Sequence, residues 1–461
     1  MILTVTVFPS AAETHGSQSP NVTVPLCSIA PRSLSGSSID DIERTSLLAI
    51  IFGKLVQCRR DFLKETAFAA AGAAALGGLA PASVLGANDR VRVAVLGCGE
   101  RARYLASIFV KQPSVEIVEI CDVYGPHRRA GLRVAGAKAT GSEDYRAVLD
   151  RKDVDAVVIG APDHWHKQIL MDAVDAGKDA YCEKPLIHSI PEGAEILRAV
   201  HESKRIVQVG MQQRSWPHYV LGKQLVDSGK LGKLSFVHTY WYQNYYSAEG
   251  WNALPNVDQA QLNWKQWLGA APMQSFDKEK FAWWRFYWDF GGGILTDLLT
   301  HWIDVIQWYT NQPAPKSATT TGDLYLMNWQ CPDTITAAYE FPEKFMVTFT
   351  GALCDGIDDG GITFRGTNGA LKVNRSRLAF YPQGGKWEPG TQEPRPEILV
   401  ESLHDGTIEH IQNFLDCVRT RKTPNAPVEA GFEAARTSWI GNLALKAGRK
   451  LDWDPAWGEG T

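Results

Sequence analysis

The sequence predicts an α/β chain in two domains, the first built on a doubly wound parallel sheet. Three observations carry this expectation. At 461 residues the chain is too long for one ordinary core. Setting aside a front segment of about 85 to 90 residues leaves roughly 370, which suits two domains. A short apolar run, 91–96, ends in a glycine turn, Gly97-Cys98-Gly99-Glu100-Arg101-Ala102. Four further apolar runs follow with helical segments between them, the alternation of a parallel sheet with helices on its faces.

The front end is read first. Residues 1–45 are rich in Ser, Thr, Pro and Gly and show no period. They are expected to be disordered, or to lie outside the native product if translation starts later. Within 46–89, Arg59-Arg60-Asp61-Phe62-Leu63-Lys64 precedes a stretch, 66–87, without a charged residue. That length approaches a membrane span, but Ala and Gly dominate it, so it is only weakly hydrophobic. The twin arginines resemble the signal of the twin-arginine route, which carries folded proteins. The expectation is an exported, periplasmic or extracytoplasmic protein that meets the twin-arginine export machinery and is cleaved near Ala82 or Ala87. A retained anchor and a plain cytosolic extension are the alternatives.

The first domain is placed at 90–212. Its strands are expected at 91–96, 115–122, 155–161, 179–182 and 205–210, with helices at 167–176 and 191–203. Each part of the glycine turn has a physical task. Gly97 permits the tight turn, Gly99 lets a pyrophosphate approach the backbone, and Ala102 still allows close packing of helix on strand. The helix N-terminus offers free N–H groups to phosphate. Asp122 lies 25 residues beyond Gly97, near the offset of about 20 at which an acid meets an adenosine ribose. A carboxylate there accepts from the 2′-hydroxyl and repels a 2′-phosphate, which favours NAD over NADP. Arg128 and Arg129 follow closely and blunt that preference.

Two segments lie just past strand ends, at the carboxyl edge where such sheets bind ligands. In Pro162-Asp163-His164-Trp165-His166, either histidine serves to cap or pack, or His166 neighbours the nicotinamide or substrate; the second reading is preferred. In Glu183-Lys184-Pro185, the proline restricts the turn that carries Lys184. An ammonium there can hydrogen-bond a substrate hydroxyl and stabilise the oxyanion formed during oxidation; the alternative is an ordinary surface lysine.

Far along the chain, Asp289-Phe290-Gly291-Gly292-Gly293 begins a second cluster that continues as a helix. Asp297 and His301 stand at i and i+4 and share a face, with Asp304 three residues further. His301, with a reference pKa near 6.5, is expected to take a proton near neutral pH, as oxidation of an alcohol requires. Asp297 would orient the imidazole or bind a sugar hydroxyl. A stabilising pair within an ordinary helix is the other reading.

Composition narrows the classes. A net charge of −4 with no long basic patch gives no reason to expect nucleic acid as a partner. Hydrophobic content of 44% and charged content of 21% fit a soluble globular enzyme. The eight cysteines show no C-x-x-C or Cys/His ligand spacing, so no metal site is expected and disulfides are neither required nor excluded. Sixteen tryptophans, many between 240 and 308, build a bulky core or interface, and one or two in a sugar site is the sharper reading.

Taken together, the Gly97–Ala102 turn, Asp122, Glu183-Lys184-Pro185, Asp297 with His301, and the tail Gly448-Arg449-Lys450-Leu451-Asp452-Trp453-Asp454-Pro455 resemble the family of glucose–fructose oxidoreductase, inositol dehydrogenase and rhizopine catabolism protein (Gfo/Idh/MocA), in its exported twin-arginine branch. The resemblance covers about residues 90–456. It implies an α+β second domain, 213–456, with a large open, mostly antiparallel sheet that often forms an oligomer interface, hence a homo-oligomer. Runs at 234–241, 319–326, 334–341, 345–350, 362–365 and 370–373 read as its strands. Segments 264–268 and 281–288 read as inserts over the site, and helices at 407–419 and 430–447 as packing back on the core. It implies Lys184, Asp297 and His301 as catalytic residues touching the reacting hydroxyls. Gly97, Gly99, Arg101, Ala102, Asp122, Pro162, His166, Glu183 and Lys184 are the residues expected to hold the cofactor, NAD. The implied reaction is oxidation or reduction of a secondary hydroxyl of a sugar, cyclitol or related polyol. Outside the cytoplasm released NADH meets no local pool, so a tightly held cofactor is expected. Two alternatives stand beside this. One is an NAD-dependent glycosidase working by transient oxidation, elimination, hydration and reduction, although the segment after Gly293 reads Ile-Leu-Thr-Asp rather than a Tyr-Pro-Thr-His type. The other is a binding protein that has lost turnover.

Overall fold

The computed structural model describes residues 2–7, 23–25, 90–245, 256–385, 387, 390–391, 393–402 and 404–458. The twin-arginine segment, the uncharged 66–87 stretch and both cleavage positions, Ala82 and Ala87, lie outside the described residues. So does most of 1–45. Two short strands from that stretch, where no regular structure was expected, run at the edge of the second sheet: β1 (Ile2–Val7) and β2 (Thr23–Pro25), with Val5 opposite Val400.

The first domain alternates as its apolar runs dictate. β3 (Val91–Leu96) leads into helix α1 (Glu100–Phe109), β4 (Val115–Cys121) into α2 (Gly125–Ala135), and a short β5 (Thr140–Ser142) follows. β6 (Ala156–Ile159) precedes α3 (His166–Asp175), β7 (Asp179–Cys182) precedes α4 (Glu192–Ser203), and β8 (Val207–Val209) ends the series. All five pairings are parallel, in the order β5-β4-β3-β6-β7-β8. β6 and β7 are buried along their whole length, because helices cover both faces of the sheet. The chain leaves β3 in one direction to build β4 and β5 and in the other to build β6 to β8. The crevice of a doubly wound sheet opens at that switch point.

The second domain is an eleven-stranded sheet. Its members in chain order after β8 are β9 (Leu234–Tyr242), β10 (Ser317–Asp323), β11 (Thr334–Glu340), β12 (Met346–Ala352), β13 (Gly360–Gly366), β14 (Gly369–Val373), β15 (Arg377–Pro382), β16 (Ile398–Glu401) and β17 (Leu451–Asp452). They order as β17-β10-β11-β12-β9-β13-β14-β15-β16-β1-β2. β9 and β12 pair in parallel, Thr239 opposite Phe349, and the other registers described are antiparallel. Alternation sets the faces: Val237, Thr239 and Trp241 are buried on β9, while Phe236, His238, Tyr240 and Tyr242 stay half-buried on the other side.

Helix α5 (Thr300–Thr310) lies on the buried face, with Tyr309 stacked on Phe364 at 5.2 Å. The last two helices return to earlier elements. α6 (Thr407–Thr420) joins the core of the first domain, placing Phe414 edge-on to Phe109 (6.3 Å) and Tyr181 (5.9 Å). α7 (Val428–Ala447) packs on α5 and β10. Among the described residues no helix is long and apolar enough to cross a membrane.

Candidate active site

The glycine turn is built by close approach. Gly97 has φ +77°, and a Cβ there would lie 2.5 Å from the Ala161 nitrogen, so only glycine fits. A Cβ added at Gly160 would meet the Ala102 Cβ at 2.7 Å, so a larger residue than Ala at 102 would force the helix off the strand. Gly99 differs: an added Cβ meets nothing within 4 Å, and Gly99 lines a cleft of about 1030 Å³. Asp122 stands on the same cleft. Its Oδ2 accepts from the Cys98 N–H at 2.6 Å and its Oδ1 from the Tyr124 N–H at 2.8 Å, so the carboxylate also braces the turn. These features fit a dinucleotide: open backbone at Gly99 for a pyrophosphate and an acid across the cleft for a ribose. Arg101 and Pro162 line the cleft too, and its far wall comes from the second domain through Trp267, Phe281 and Trp283 to Phe286. The inserts expected over the site therefore cover the cleft.

His166 is placed differently from expectation. Its Nδ1 lies 2.7 Å from the Pro185 carbonyl and its Nε2 2.9 Å from the Ala161 carbonyl, and the ring is buried. Burial lowers its pKa, so the neutral ring donates one N–H to one of these carbonyls and lies between the two loops that frame the cleft. His164 points its Nε2 at the Trp267 carbonyl (3.1 Å), and burial pulls its pKa down to about 3. Glu183 Oε1 accepts from Arg101 Nε at 2.7 Å, fixing the guanidinium that lines the cleft.

Lys184 reaches across to the second domain. Its Nζ donates to the Asp297 carbonyl (2.8 Å) and to Asp297 Oδ1 (2.6 Å). Asp297 lies within a π-helical turn, Leu295–Leu299, just before α5. Such a turn breaks the regular i→i−4 ladder and is common at functional sites; here it presents a backbone carbonyl as well as a carboxylate to one ammonium. Arg285 Nε adds a third contact, to Asp297 Oδ1 at 3.2 Å. Burial pushes the Asp297 carboxyl up, but Lys184 and Arg285 outweigh it and hold the group below the usual carboxylate range. Asp297 thus binds two cations, and no hydrogen bond joins it to the imidazole it was expected to orient.

His301 stacks on Trp241 (5.8 Å, 28°), and its Nδ1 is buried without a hydrogen-bond partner. Burial first, then the charges of Lys184, Arg375 and Arg101, push its pKa well below the usual value. The imidazole is therefore neutral, rather than titrating near neutrality as its spacing alone suggested. Asp304 leaves the cluster to pair with Arg214 at 2.8 Å.

Three residues of the site escaped the sequence reading. Arg285 lies in the insert 281–288, four residues before Asp289, without having been singled out, and Arg375 comes from a turn remote from every motif. Asp163, inside a segment already singled out, is fully buried near Lys184, Asp297 and Arg285. Burial raises its pKa well above the carboxylate range despite the two cations, with Asp297 adding to the rise. A neutral acid beside an ionised one is the arrangement by which paired carboxyls divide donor and acceptor roles. An acid directly after a strand-ending proline was the available signal. Among the described residues no group of three or more His, Cys, Asp or Glu is placed to hold a metal, and the six described cysteines are free thiols.

A doubly wound sheet with a glycine turn and an acid across the cleft, followed by a second domain that brings Asp297 to Lys184, defines a two-domain protein of the dinucleotide-binding fold class. The chain belongs to the Gfo/Idh/MocA oxidoreductase family: residues 91–211 match its NAD-binding Rossmann fold and residues 223–451 its C-terminal alpha/beta domain. Similar curated proteins include inositol 2-dehydrogenase of Salmonella typhimurium, 33% identical over 129 residues, or 28% of this chain and 38% of that protein. Levoglucosan dehydrogenase of Pseudarthrobacter phenanthrenivorans is 29% identical over 172 residues, 37% of each chain. The match thus spans less than half the length of these curated relatives. Among solved structures, a levoglucosan dehydrogenase in complex with NADH and L-sorbose superposes with a TM-score of 0.63 at 16% identity, covering 79% of this chain and 99% of that one. Myo-inositol 2-dehydrogenase from Lactobacillus plantarum gives 0.60 at 20% identity, covering 79% and 100%. Both share the fold.

Proposed function

We propose that this protein is an NAD-dependent oxidoreductase acting on a secondary hydroxyl of a sugar, cyclitol or related polyol. The observation that carries the reading is the 2.6 Å contact between Lys184 and Asp297, contributed by separate domains, with Arg285 of the cleft wall on the same carboxylate. The inositol and levoglucosan dehydrogenases named above support the substrate class.

Gly97, Gly99, Arg101, Ala102, Asp122 and Pro162 would hold NAD, which when bound supplies the hydride acceptor. The remaining chemistry belongs to the side chains. Lys184 donates a hydrogen bond to the substrate oxygen and stabilises it as negative charge develops. Asp297 and Arg285 hold that ammonium in place. Neutral His301 accepts the hydroxyl proton, because a base already protonated at working pH could not. Trp267, Phe281 and Phe286 line the cleft and limit water.

The same reading extends to the whole chain. Arg59-Arg60 directs export of the folded protein with its NAD already bound, and the C-terminal sheet makes a homo-oligomer. The half-buried row Phe236, His238, Tyr240 and Tyr242, with successive ring centroids 6.4, 5.8 and 5.4 Å apart, supports the latter.

The test is NADH formation at 340 nm from a panel of inositols, sugars and anhydrosugars. Lys184→Ala should lower kcat by about 10²- to 10⁴-fold while NADH fluorescence titration shows cofactor binding retained. Undiminished turnover in that variant would remove Lys184 from the reaction.

A further inference from the structure

A second cavity, of about 410 Å³, is lined by Arg101, Gln212, Trp216, Arg375, Ser402 and His404, with Asp405 at its wall. Its most unusual member is Arg375, in the turn between β14 and β15. Among the described residues Arg375 forms no ion pair and no hydrogen bond, and its Nε is buried without a partner. Its guanidinium lies over the Trp241 ring at 4.6 Å. Burial pulls its pKa below the ordinary arginine value. Arg375 is half-buried, but its Nε is withdrawn from water without an acceptor, and leaving such a donor unpaired is costly.

The rest of the lining does not cancel that charge. Arg101 spends its Nε on Glu183, and its Nη2 is also buried without a partner. Asp405 is the one acid in the lining, and it is committed elsewhere. Its Oδ2 accepts from the Tyr104 hydroxyl (2.5 Å) and its Oδ1 from the Thr407 N–H (2.9 Å) and hydroxyl (2.7 Å). His404 turns its Nε2 to Glu409 at 2.8 Å. With Arg101 paired to Glu183 and Asp405 held by neutral donors, Arg375 is the guanidinium of the lining that no carboxylate contacts. Arg375 and Arg101 link the cavity to the reacting centre. Trp241, under the Arg375 guanidinium, is the ring on which His301 stacks, and the charges of Arg375 and Arg101 both act on that imidazole. The volume falls in the range that accepts part or all of a small organic ligand, about 300–1,000 Å³.

We propose that this cavity is an anion subsite for the substrate, and that the sugar oxidised here carries a carboxylate, held by Arg375 and Arg101 while its hydroxyl meets Lys184 and His301. The proposal rests on the oxidoreductase reading and deepens it by naming the substrate class, a sugar acid. A bidentate carboxylate suits a guanidinium fork.

The test uses the full NAD-loaded protein and matched pairs: D-glucuronate against D-glucose, D-galacturonate against D-galactose, with D-glucose 6-phosphate as a separate arm. Turnover is read as NADH formation, and binding is read independently by calorimetry. For at least one pair kcat/KM should favour the acid by 10-fold or more. Arg375→Met should lower the acid's kcat/KM at least 10-fold more than the neutral sugar's, and Arg375→Lys should restore part of the difference. Thermal melting checks that each variant folds. Equal handling of acid and neutral sugar, or an equal effect of Arg375→Met on both, overturns the subsite while leaving the oxidoreductase reading intact. Arg375-dependent binding of the acid without oxidation of any sugar overturns the oxidoreductase reading and keeps the subsite. A preference for the 6-phosphate over the uronate overturns the carboxylate assignment.

Discussion

Lys184 and Asp297 form a buried pair, whereas Asp163 stands close by as a neutral acid, and the two aspartates should answer differently to the same change. Asp297→Asn leaves a buried ammonium with a poorer partner and should destabilise the fold by about 3 kcal/mol. Asp163→Asn replaces one neutral group with another of the same shape, and should stay within about 1 kcal/mol of the parent. Urea unfolding of both variants at pH 7 decides this; an equal and large loss in both would mean that Asp163 is ionised. The histidines make a second residue-scale expectation. Burial depresses His164 to about 3, His218 and His410 to about 4, and His301 well below its usual value. For a base whose folded pKa is lowered, the unfolded chain binds more protons between the two pKa values. Stability is therefore complete above about 6.5 and falls as pH drops from there toward 4, by up to ~1.4 kcal/mol per pH unit per histidine. A melting temperature unchanged between pH 7 and pH 5 would contradict it.

At the scale of elements, the glycine turn separates two costs that its motif alone does not distinguish. Gly97→Ala forces a Cβ against the Ala161 backbone at φ +77° and should cost about 1–3 kcal/mol of stability. Gly99→Ala meets no protein atom within 4 Å, so stability should change by less than about 0.5 kcal/mol while NADH affinity falls, because the methyl enters the cleft. Melting and NADH fluorescence titration on the two variants check this; a loss of stability in Gly99→Ala equal to that in Gly97→Ala would refute the assignment. This turn was readable in the sequence because its constraints are local: a strand, a glycine and a helix start within a dozen residues. The strands buried on both faces were readable for the same reason, as short, mostly apolar runs at 91–96, 156–159 and 179–182. β15, β16 and β17 were not, because two to six residues ending beside Pro382 or after a loop carry too little alternation to register. The spacing of Asp297 and His301 put both in the site but misjudged their relation. The π-helical turn and the arrival of Lys184 and Arg285 are set by tertiary contacts with no trace in an i, i+4 pattern. Arg375 was invisible for a stronger reason: what marks it is the absence of a partner, which only packing reveals.

For the molecule as a whole, the sheet of the second domain presents two unlike faces. One carries Val237, Thr239 and Trp241 against α5 and the site; the other carries Phe236, His238, Tyr240 and Tyr242 as a continuous aromatic row on β9, third of these strands in chain order yet fifth of eleven across the sheet. Neighbouring β12 adds Met346, which is exposed, beside Phe236 in register. A row of rings at the middle of an open sheet differs from scattered exposed apolar residues, since contiguous patches of this kind mark protein contacts. If this face joins copies of the chain, a charge placed at its centre should separate them without touching the cleft. Tyr240→Glu would set a carboxylate between His238 and Tyr242, where a packed interface leaves it unpaired at a cost of several kcal/mol per subunit. Light scattering after size exclusion should then give the mass of a single chain for Tyr240→Glu and a multiple of it for the parent. The variant should keep its NADH titration, because the cleft is lined by the first domain, Tyr245 and the inserts around Trp267 and Phe281, with no residue of β9. A parent that already runs as a single chain at micromolar concentration would remove the interface, and the aromatic row would then be a surface of another kind.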